Sequence, residues 1–437
     1  QAASYVIKIL SNTNSSCAHC LGIVLWHEQL SLWLYDAAGV VATSDQLSVI
    51  QDFEKFAAIL ICLACCSAER LGAMPKICLP NDTPYPDHFP PKSMDGHTIN
   101  MFPANCDSEN AEITPIFAKY ALVGRHTTVY NATAENLLTC APGTPLVVKF
   151  SQQVHTCLKE QDLLNAARAA RVRNLPSLRL ARDLWSLSEG FCGLFCEEEP
   201  VNYERRVLRA PVFTKYEPLE VLFSRSSRYL GEMVYQMLNC DLHDLRYRVL
   251  ILHRGVSFNN IMVLTDEPDG KPLFILNDFD LATCATVDGK LKGGPISKHH
   301  TGTLPFMSYE LLHDMWSTYE VVRKLSGDSP LVPARHHLRF DYELLLYIAL
   351  WCTFKCEKLR FTEARNVINA QVEQWECGAY SDRDLFSRKL MLLTKIMGPN
   401  SLREMPLSPP FEPWLPFFEA WMDTVQPADH LLQRANY

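Results

Sequence analysis

Two polar stretches of the sequence carry side chains that suit a metal ion. Residues 253–262 contain Asn260, and residues 277–282 contain Asp278. A short apolar run precedes each stretch, so each run is predicted to be a buried strand that ends where the polar residues begin. A carboxylate and an amide oxygen are hard ligands of the kind that Mg²⁺ binds. We therefore predict that two strand ends deliver Asn260 and Asp278 to one magnesium site.

Residues further upstream suit the phosphates of a nucleotide bound with that ion. Lys149 lies in a β-branched run and supplies a cation, and Glu160 on the helix predicted to follow can hold its ammonium by an ion pair. Gly124 offers a flexible point in a strand–turn–strand pattern. Taken singly these signals are weak, because edge strands commonly carry lysine. Their order along the chain favours a magnesium–nucleotide site.

The composition is that of a globular protein, with 48% hydrophobic and 21% charged residues among 437. A net charge of −8 provides no positive field, so we predict neither a nucleic-acid nor a membrane partner. The 16 Cys at irregular spacing predict reduced thiols and an intracellular setting, cytoplasmic or nuclear. Cys17 and Cys20 form a CxxC pair without a second clean pair, which favours buried thiols over a zinc site. The sequence begins with Gln1 rather than Met, as a segment of a longer chain would.

The first part of the chain is predicted to be a small α+β unit over residues 1–72. Apolar runs at 22–26 and 30–35 predict a hairpin, and apolar residues at helical spacing predict a helix over 51–70. Eight prolines then interrupt any helix, so residues 73–115 are predicted to form a Pro-rich connection.

The remainder divides into a β-rich and a helical part. Residues 116–222 carry β-branched runs, beginning with a strand predicted over 116–124, and a helix predicted over 153–171. Residues 223–437 are dominated by helical patterns, the first of them at 228–248.

The motifs resemble those of the fungal-type protein kinase family, within the protein kinase superfamily. The resemblance covers nearly the whole chain, and its specific part is residues 121–350. The motifs that carry it are His253-Arg254-X-Val256-Ser257 followed by Asn259-Asn260-Ile261-Met262, Asn277-Asp278-Phe279-Asp280-Leu281-Ala282, Thr301-Gly302-Thr303-Leu304-Pro305-Phe306-Met307, Asp341-Tyr342-Glu343, Trp375-Glu376-Cys377-Gly378, and Leu32-Trp33-Leu34-Tyr35-Asp36-Ala37-Ala38-Gly39-Val40, in which Ala37 replaces an Arg of the family.

The resemblance implies an α+β, two-lobed protein kinase-like fold. A small β-rich N-lobe with its hinge would span 116–222, and a larger, mainly helical C-lobe with a helical C-terminal extension would span 223–437. The small α+β unit would precede both. The implied activity is ATP- and Mg²⁺-dependent phosphoryl transfer to Ser/Thr hydroxyls of a protein substrate.

The resemblance also implies roles for the site residues. Lys149 would contact the α- and β-phosphates, with Glu160 as its partner and Asp162 as the substitute candidate. Asn260 and Asp278 would hold Mg²⁺. Two more residues are implied to bind nucleotide, through the phosphate turn and the strand that follows it: Gly124 and Val129.

A second group of implied roles concerns the activation segment. Glu310 would be its structural glutamate, and the buried Asp341 would brace the loop that contains His253. Arg254 would pair with a phosphorylated residue of the segment. The acceptors proposed for that phosphate are Ser297, Thr301 and Thr303.

Besides Ala37, two departures from the family pattern bear on catalysis, whereas Asp280 is a family feature. His126 stands where the phosphate turn has Gly, and Gly255 stands where the catalytic Asp would orient the acceptor hydroxyl. General-base assistance contributes about 10²–10⁴-fold to a rate, so we predict impaired turnover with nucleotide binding retained. The alternative is a pseudokinase, acting as a nucleotide-binding or scaffolding module for a protein partner. A small-molecule kinase is disfavoured, because the 301–310 segment shapes a peptide groove.

Overall fold

The structure is a computed structural model. It describes residues 2–10, 17–67, 70–74, 77–78, 97–100, 110–119, 124–133, 143–186, 205–223, 229–265, 270–287, 292, 303, 306–308, 310–312, 338–355, 389 and 414–424. The chain forms two compact units, one of Gln1–Cys157 with Ser177–Lys215 and one of Leu158–Pro176 with Tyr216–Tyr437. Both helices and β-sheets are present, which confirms the predicted mixture of α and β structure.

The beginning of the first unit is a small antiparallel sheet with two helices. Strand β2 pairs with β1, β3 and β4, and the predicted hairpin turns at His27, whose φ is 54°. The elements are α1 (Ala2–Leu10), β1 (His19–Trp26), β2 (Gln29–Asp36), β3 (Val40–Ala42), β4 (Leu47–Ser48) and α2 (Phe53–Ala64). Helix α2 ends at Ala64, earlier than predicted, and Ser67 beyond it accepts hydrogen bonds from the backbone N–H groups of Arg70 and Leu71.

A seven-stranded antiparallel sheet makes up the rest of this unit, in the order β10-β11-β9-β8-β7-β6-β5. Its strands are β5 (Ile77–Cys78), β6 (Thr98–Asn100), β7 (Asn110–Lys119), β8 (Thr127–Thr133), β9 (Leu146–Val154), β10 (Leu178–Ser186) and β11 (Arg206–Thr214). Tyr130, Phe150 and Leu208 meet in its core. Ala18 and Met74, from before the sheet, join the same core, whereas Val6 and Leu10 of α1 belong to a separate cluster with Tyr35.

Two predicted boundaries in this sheet are wrong. The strand expected at 116–124 runs over Asn110–Lys119 instead, and part of the Pro-rich stretch forms β5 and β6. Pro115 fits inside β7 because the register shifts between Pro115 and Phe117, and such an irregularity tolerates a residue without an N–H. Residues 153 and 154 pair with β11 and remain strand, so the helix predicted from 153 begins later.

The second unit combines further helices with two small sheets. Its elements are α3 (Glu160–Ala169), β12 (Glu217–Pro218), α4 (Leu219–Phe223), α5 (Leu230–Met237), a π-helix (Leu238–Arg248), β13 (Ile251–Leu252), β14 (Ile261–Leu264), β15 (Leu273–Leu276), β16 (Thr283–Cys284), α6 (Leu338–Lys355) and α7 (Leu415–Thr424). The sheets are β12-β14-β15 and β13-β16, all antiparallel. Helix α6 is buried on all sides from Leu344 to Cys352, as expected of a central core helix. Among the helices in the described ranges, none is long and apolar enough to cross a membrane.

We predict that Gly72→Ala destabilises the first unit more than Gly143→Ala does. Both glycines have positive φ, at 117° and 79°, so each substitution strains the backbone by about 1–2 kcal/mol. A Cβ at Gly72 would also lie 2.2 Å from the backbone oxygen of His19, whereas one at Gly143 meets nothing within 4 Å. Overpacking of this kind adds about 1–3 kcal/mol. Urea unfolding of both variants measures the difference, and equal losses of stability would contradict the packing of residue 72 against β1.

Candidate functional site

His253 joins the two polar motifs of the second unit. Its ring is fully buried, and Gly255 donates its backbone N–H to Nδ1 at 3.3 Å. The hydrogen is therefore on Nε2, which donates to the carbonyl oxygen of Asn277 at 3.1 Å. The ring of Phe279 packs edge-on at 4.7 Å between centroids. The imidazole thus holds residues 253–255 against residues 277–279.

Asn260 is oriented by this same loop. Its Nδ2 donates to the carbonyl oxygen of Gly255 at 2.7 Å, which leaves Oδ1 as the side-chain atom for a metal. The backbone N–H of Asn277 donates to the carbonyl oxygen of Asn260 at 2.7 Å. The two strands expected to end at one edge, β13 and β15, belong to different sheets, so that part of the prediction is wrong. Hydrogen bonds between the motifs bring them together instead.

Asp278 lies within a group of three carboxylates. Its backbone is left-handed, with φ 67°, and oxygens of Asp278, Glu160 and Asp280 lie within 4.8 Å of one another. Glu160 and Asp280 are buried, at 3% and 4% exposure. A divalent cation would offset the mutual repulsion of these charges, and hard oxygen donors fit Mg²⁺. The donor set therefore fits the metal that the sequence predicted.

Glu160 has a partner that sequence reasoning missed. Its Oε1 accepts the backbone N–H of Phe279 at 2.8 Å, which ties the first residue of α3 to the Asp278 motif. Asp162, the substitute candidate, is exposed on the same helix. Asp280 was also missed as a neighbour of Asp278, although the second Asp of the motif was a visible signal.

Gly255 occupies a buried position that accepts a Cβ. An added Cβ would lie 3.4 Å from Cδ1 of Leu281 and 3.8 Å from ring atoms of His253, which is ordinary contact. The backbone there does not require glycine. Among the described residues, the contacts of the Cβ therefore do not require glycine at this position.

In the first unit, Lys149 lies on β9 opposite Val129 on β8 and is 8% exposed. The turn before β8 contains Gly124, whose φ is 151°, and His126, whose φ is 43°. Glycine adopts both conformations more easily than other residues, which accounts for the family's glycine where His126 stands. His126 itself is buried. The sequence therefore placed Lys149 correctly on a strand, and the predicted turn exists.

The residues implied in the activation segment are only partly described. Ser297 and Thr301 lie outside the described residues. The carbonyl oxygen of Thr303 accepts the N–H of Phe306 at 2.8 Å, and Glu310 is helical and half-buried. Arg254 has φ 63°, and Asp341 is fully buried in α6.

A buried lysine near this segment gave no signal in the sequence. Lys389 is fully buried, donates to the carbonyl oxygen of Met307 and lies 4.0 Å from the ring centre of Tyr347. The Tyr347 hydroxyl donates to Oε1 of Glu343 at 2.7 Å. Burial lowers the pKa of the Lys389 ammonium to about 7, against an opposing effect of the Glu343 carboxylate.

We predict that stability rises with pH because of Lys389. Its pKa in the folded chain lies below the ordinary value of 10.5, so the unfolded chain binds more protons between pH 7 and 10. The free energy of unfolding should increase across that window by up to about 1.4 kcal/mol per pH unit, a gain that is absent below pH 7.

Urea unfolding at pH 7 and pH 9 measures this gain in the wild type and in Lys389→Met, which should lose it. Lys55→Met, which removes an exposed lysine, is the control and should keep it. An unchanged gain in Lys389→Met would contradict the assignment.

Comparisons with known proteins complete the description of the site. Among solved structures, the kinase PK-1 of Cydia pomonella granulovirus is weakly similar: the match has a TM-score of 0.38 and 14% identity, and covers 68% of this chain and 85% of that one. A comparison with curated protein sequences finds no significant match. The family described as fungal protein kinase matches residues 1–185 and 241–353, which is more than half of the sequence. The chain therefore belongs to the fungal protein kinase family.

Proposed function

We propose that the chain is a two-lobed protein kinase that binds ATP with Mg²⁺ and transfers phosphate slowly to Ser/Thr hydroxyls of a protein substrate. One observation supports the proposal most. A hydrogen bond holds Asn260 against the Asp278 motif, where the carboxylates of Glu160, Asp278 and Asp280 lie close together, and the chain belongs to a kinase family. The proposal includes an intracellular setting, cytoplasmic or nuclear, which rests on the cysteine content.

Each residue has a distinct task in this proposal. Asn260 and Asp278 would hold Mg²⁺, which neutralises charge on the phosphates when bound. Lys149 would contact the α- and β-phosphates, by resemblance to the family. His253 keeps the two motifs in contact, and Asn260 is fixed by the Gly255 carbonyl. Positioning and charge neutralisation supply most of the catalysis of phosphoryl transfer, so these groups support turnover without a base.

The proposed reaction lacks a residue that orients the acceptor hydroxyl and accepts its proton. At position 255 there is no carboxylate to orient the acceptor hydroxyl, and a base contributes about 10²–10⁴-fold. The alternative function is a pseudokinase that binds nucleotide or serves as a scaffold for a protein partner. Gly255 is the observation that favours it.

We predict that Mg²⁺–ATP stabilises the chain and that Asp278→Ala abolishes this effect. A ligand that binds only the folded chain at 100 times its Kd raises stability by about 2.7 kcal/mol. Thermal unfolding with ATP and with or without Mg²⁺ measures the shift. Asp162→Ala removes an exposed carboxylate from α3 and should behave as the wild type. Absence of a shift in the wild type, or a shift that Asp278→Ala retains, would refute the nucleotide site.

We predict that Gly255→Asp raises phosphorylation of casein by about 10²-fold or more, because it restores the missing carboxylate. Gly255→Asn is the matched control, since it adds a side chain of the same shape without a base. Radiolabelled ATP and Mg²⁺ provide the assay. Equal rates for the Asp and Asn variants would contradict the role assigned to the carboxylate. Wild-type turnover that Lys149→Met abolishes would exclude the pseudokinase alternative.

A further inference from the structure

The turn between β2 and β3 is closed by one buried aspartate. Asp36 is 3% exposed, and its Oδ1 accepts the backbone N–H groups of Ala38 at 2.8 Å and Gly39 at 2.9 Å. The N–H of Asp36 donates to the carbonyl oxygen of Gly39 at 3.0 Å. An aspartate that bonds the backbone two and three residues later fixes the shape of a turn. This turn therefore has a defined conformation that depends on a single carboxylate.

The same turn is bonded to the predicted phosphate turn. The carbonyl oxygen of Ala37 accepts the backbone N–H of Gly124 at 3.0 Å, and Ala37 is fully buried. On its other side, the carbonyl oxygen of Arg125 accepts the N–H of Gln152 on β9 at 2.6 Å. Two consecutive residues of the phosphate turn, Gly124 and Arg125, are thus each hydrogen-bonded to a different segment. One anchor is the strand that carries Lys149, and the other is the Asp36 turn.

We propose that Asp36 is a positioning residue for nucleotide binding, acting through the Ala37 carbonyl to fix the turn of residues 124–126. This inference rests on the proposed function, because it assigns the turn to the phosphates of ATP. Without the Asp36 carboxylate, the N–H groups of Ala38 and Gly39 lose their acceptor and the Ala37 carbonyl loses its fixed direction. The left-handed φ of His126, a residue other than glycine, makes the phosphate turn dependent on such external support.

Titration calorimetry of the full chain with Mg²⁺–ATP tests the proposal. Asp36→Ala should weaken binding about tenfold, the size of one lost hydrogen bond to a charged group. Asp36→Asn keeps an oxygen acceptor and should bind within about twofold of the wild type. Thr43→Val is the control, because it removes a comparable bond, from Leu32 N–H to Thr43 Oγ1 at 3.2 Å, elsewhere in the same sheet. Equal affinities for Asp36→Ala and the wild type would overturn the inference alone, whereas absence of wild-type binding would overturn the proposed function with it.

A second measurement uses the wild type alone, so it can be made even if the Asp36→Ala variant does not fold. Coupling between two sites is reciprocal, so ATP should protect the Asp36 turn as much as that turn supports ATP. Hydrogen exchange of the wild type with and without Mg²⁺–ATP should show slower exchange in peptides that contain residues 36–39 and 124–126. The β1–β2 turn at His27 should not change. Binding of ATP without protection of residues 36–39 would overturn the proposal.

Discussion

The buried imidazole of His253 is the contact on which the second unit's candidate site depends. One ring nitrogen accepts from the residue that lacks a side chain, Gly255, and the other donates to Asn277, the residue before Asp278. The two motifs have no common sheet to align them, because β13 and β15 belong to separate sheets. A neutral ring with one donor and one acceptor can make both bonds at once, whereas a protonated ring has two donors and would lose the first.

The carboxylates near this contact repel one another. Three acidic groups within 4.8 Å, two of them almost fully buried, repel one another in surroundings that screen charge poorly. The Phe279 N–H satisfies one oxygen of Glu160 but contributes only a partial charge. A bound cation would reduce this repulsion. The kinase motif ordinarily has glycine where Asp280 stands, so Asp280 adds one carboxylate to this group.

The sequence predicted what depends on neighbours along the chain and missed what depends on distant partners. The apolar run predicted before Asp278 became β15, and Lys149 became a strand residue, because β-branched and aromatic residues are enriched in strands. Glu160 and Asp278 were predicted individually, but their proximity comes from the packing of α3. Lys389 gave no signal, because its carbonyl and ring partners lie far away in sequence. The start of α3 was placed too early, because pairing with β11 holds residues 153 and 154 in a strand that helical periodicity cannot reveal.

The room around Gly255 has an evolutionary consequence. A Cβ at this position meets only ordinary contacts, so the first atom of a side chain fits without a clash. Two of the four glycine codons, GGT and GGC, become aspartate codons through one base change. Where the gene uses either of them, a single point mutation introduces an aspartate at position 255, beside His253.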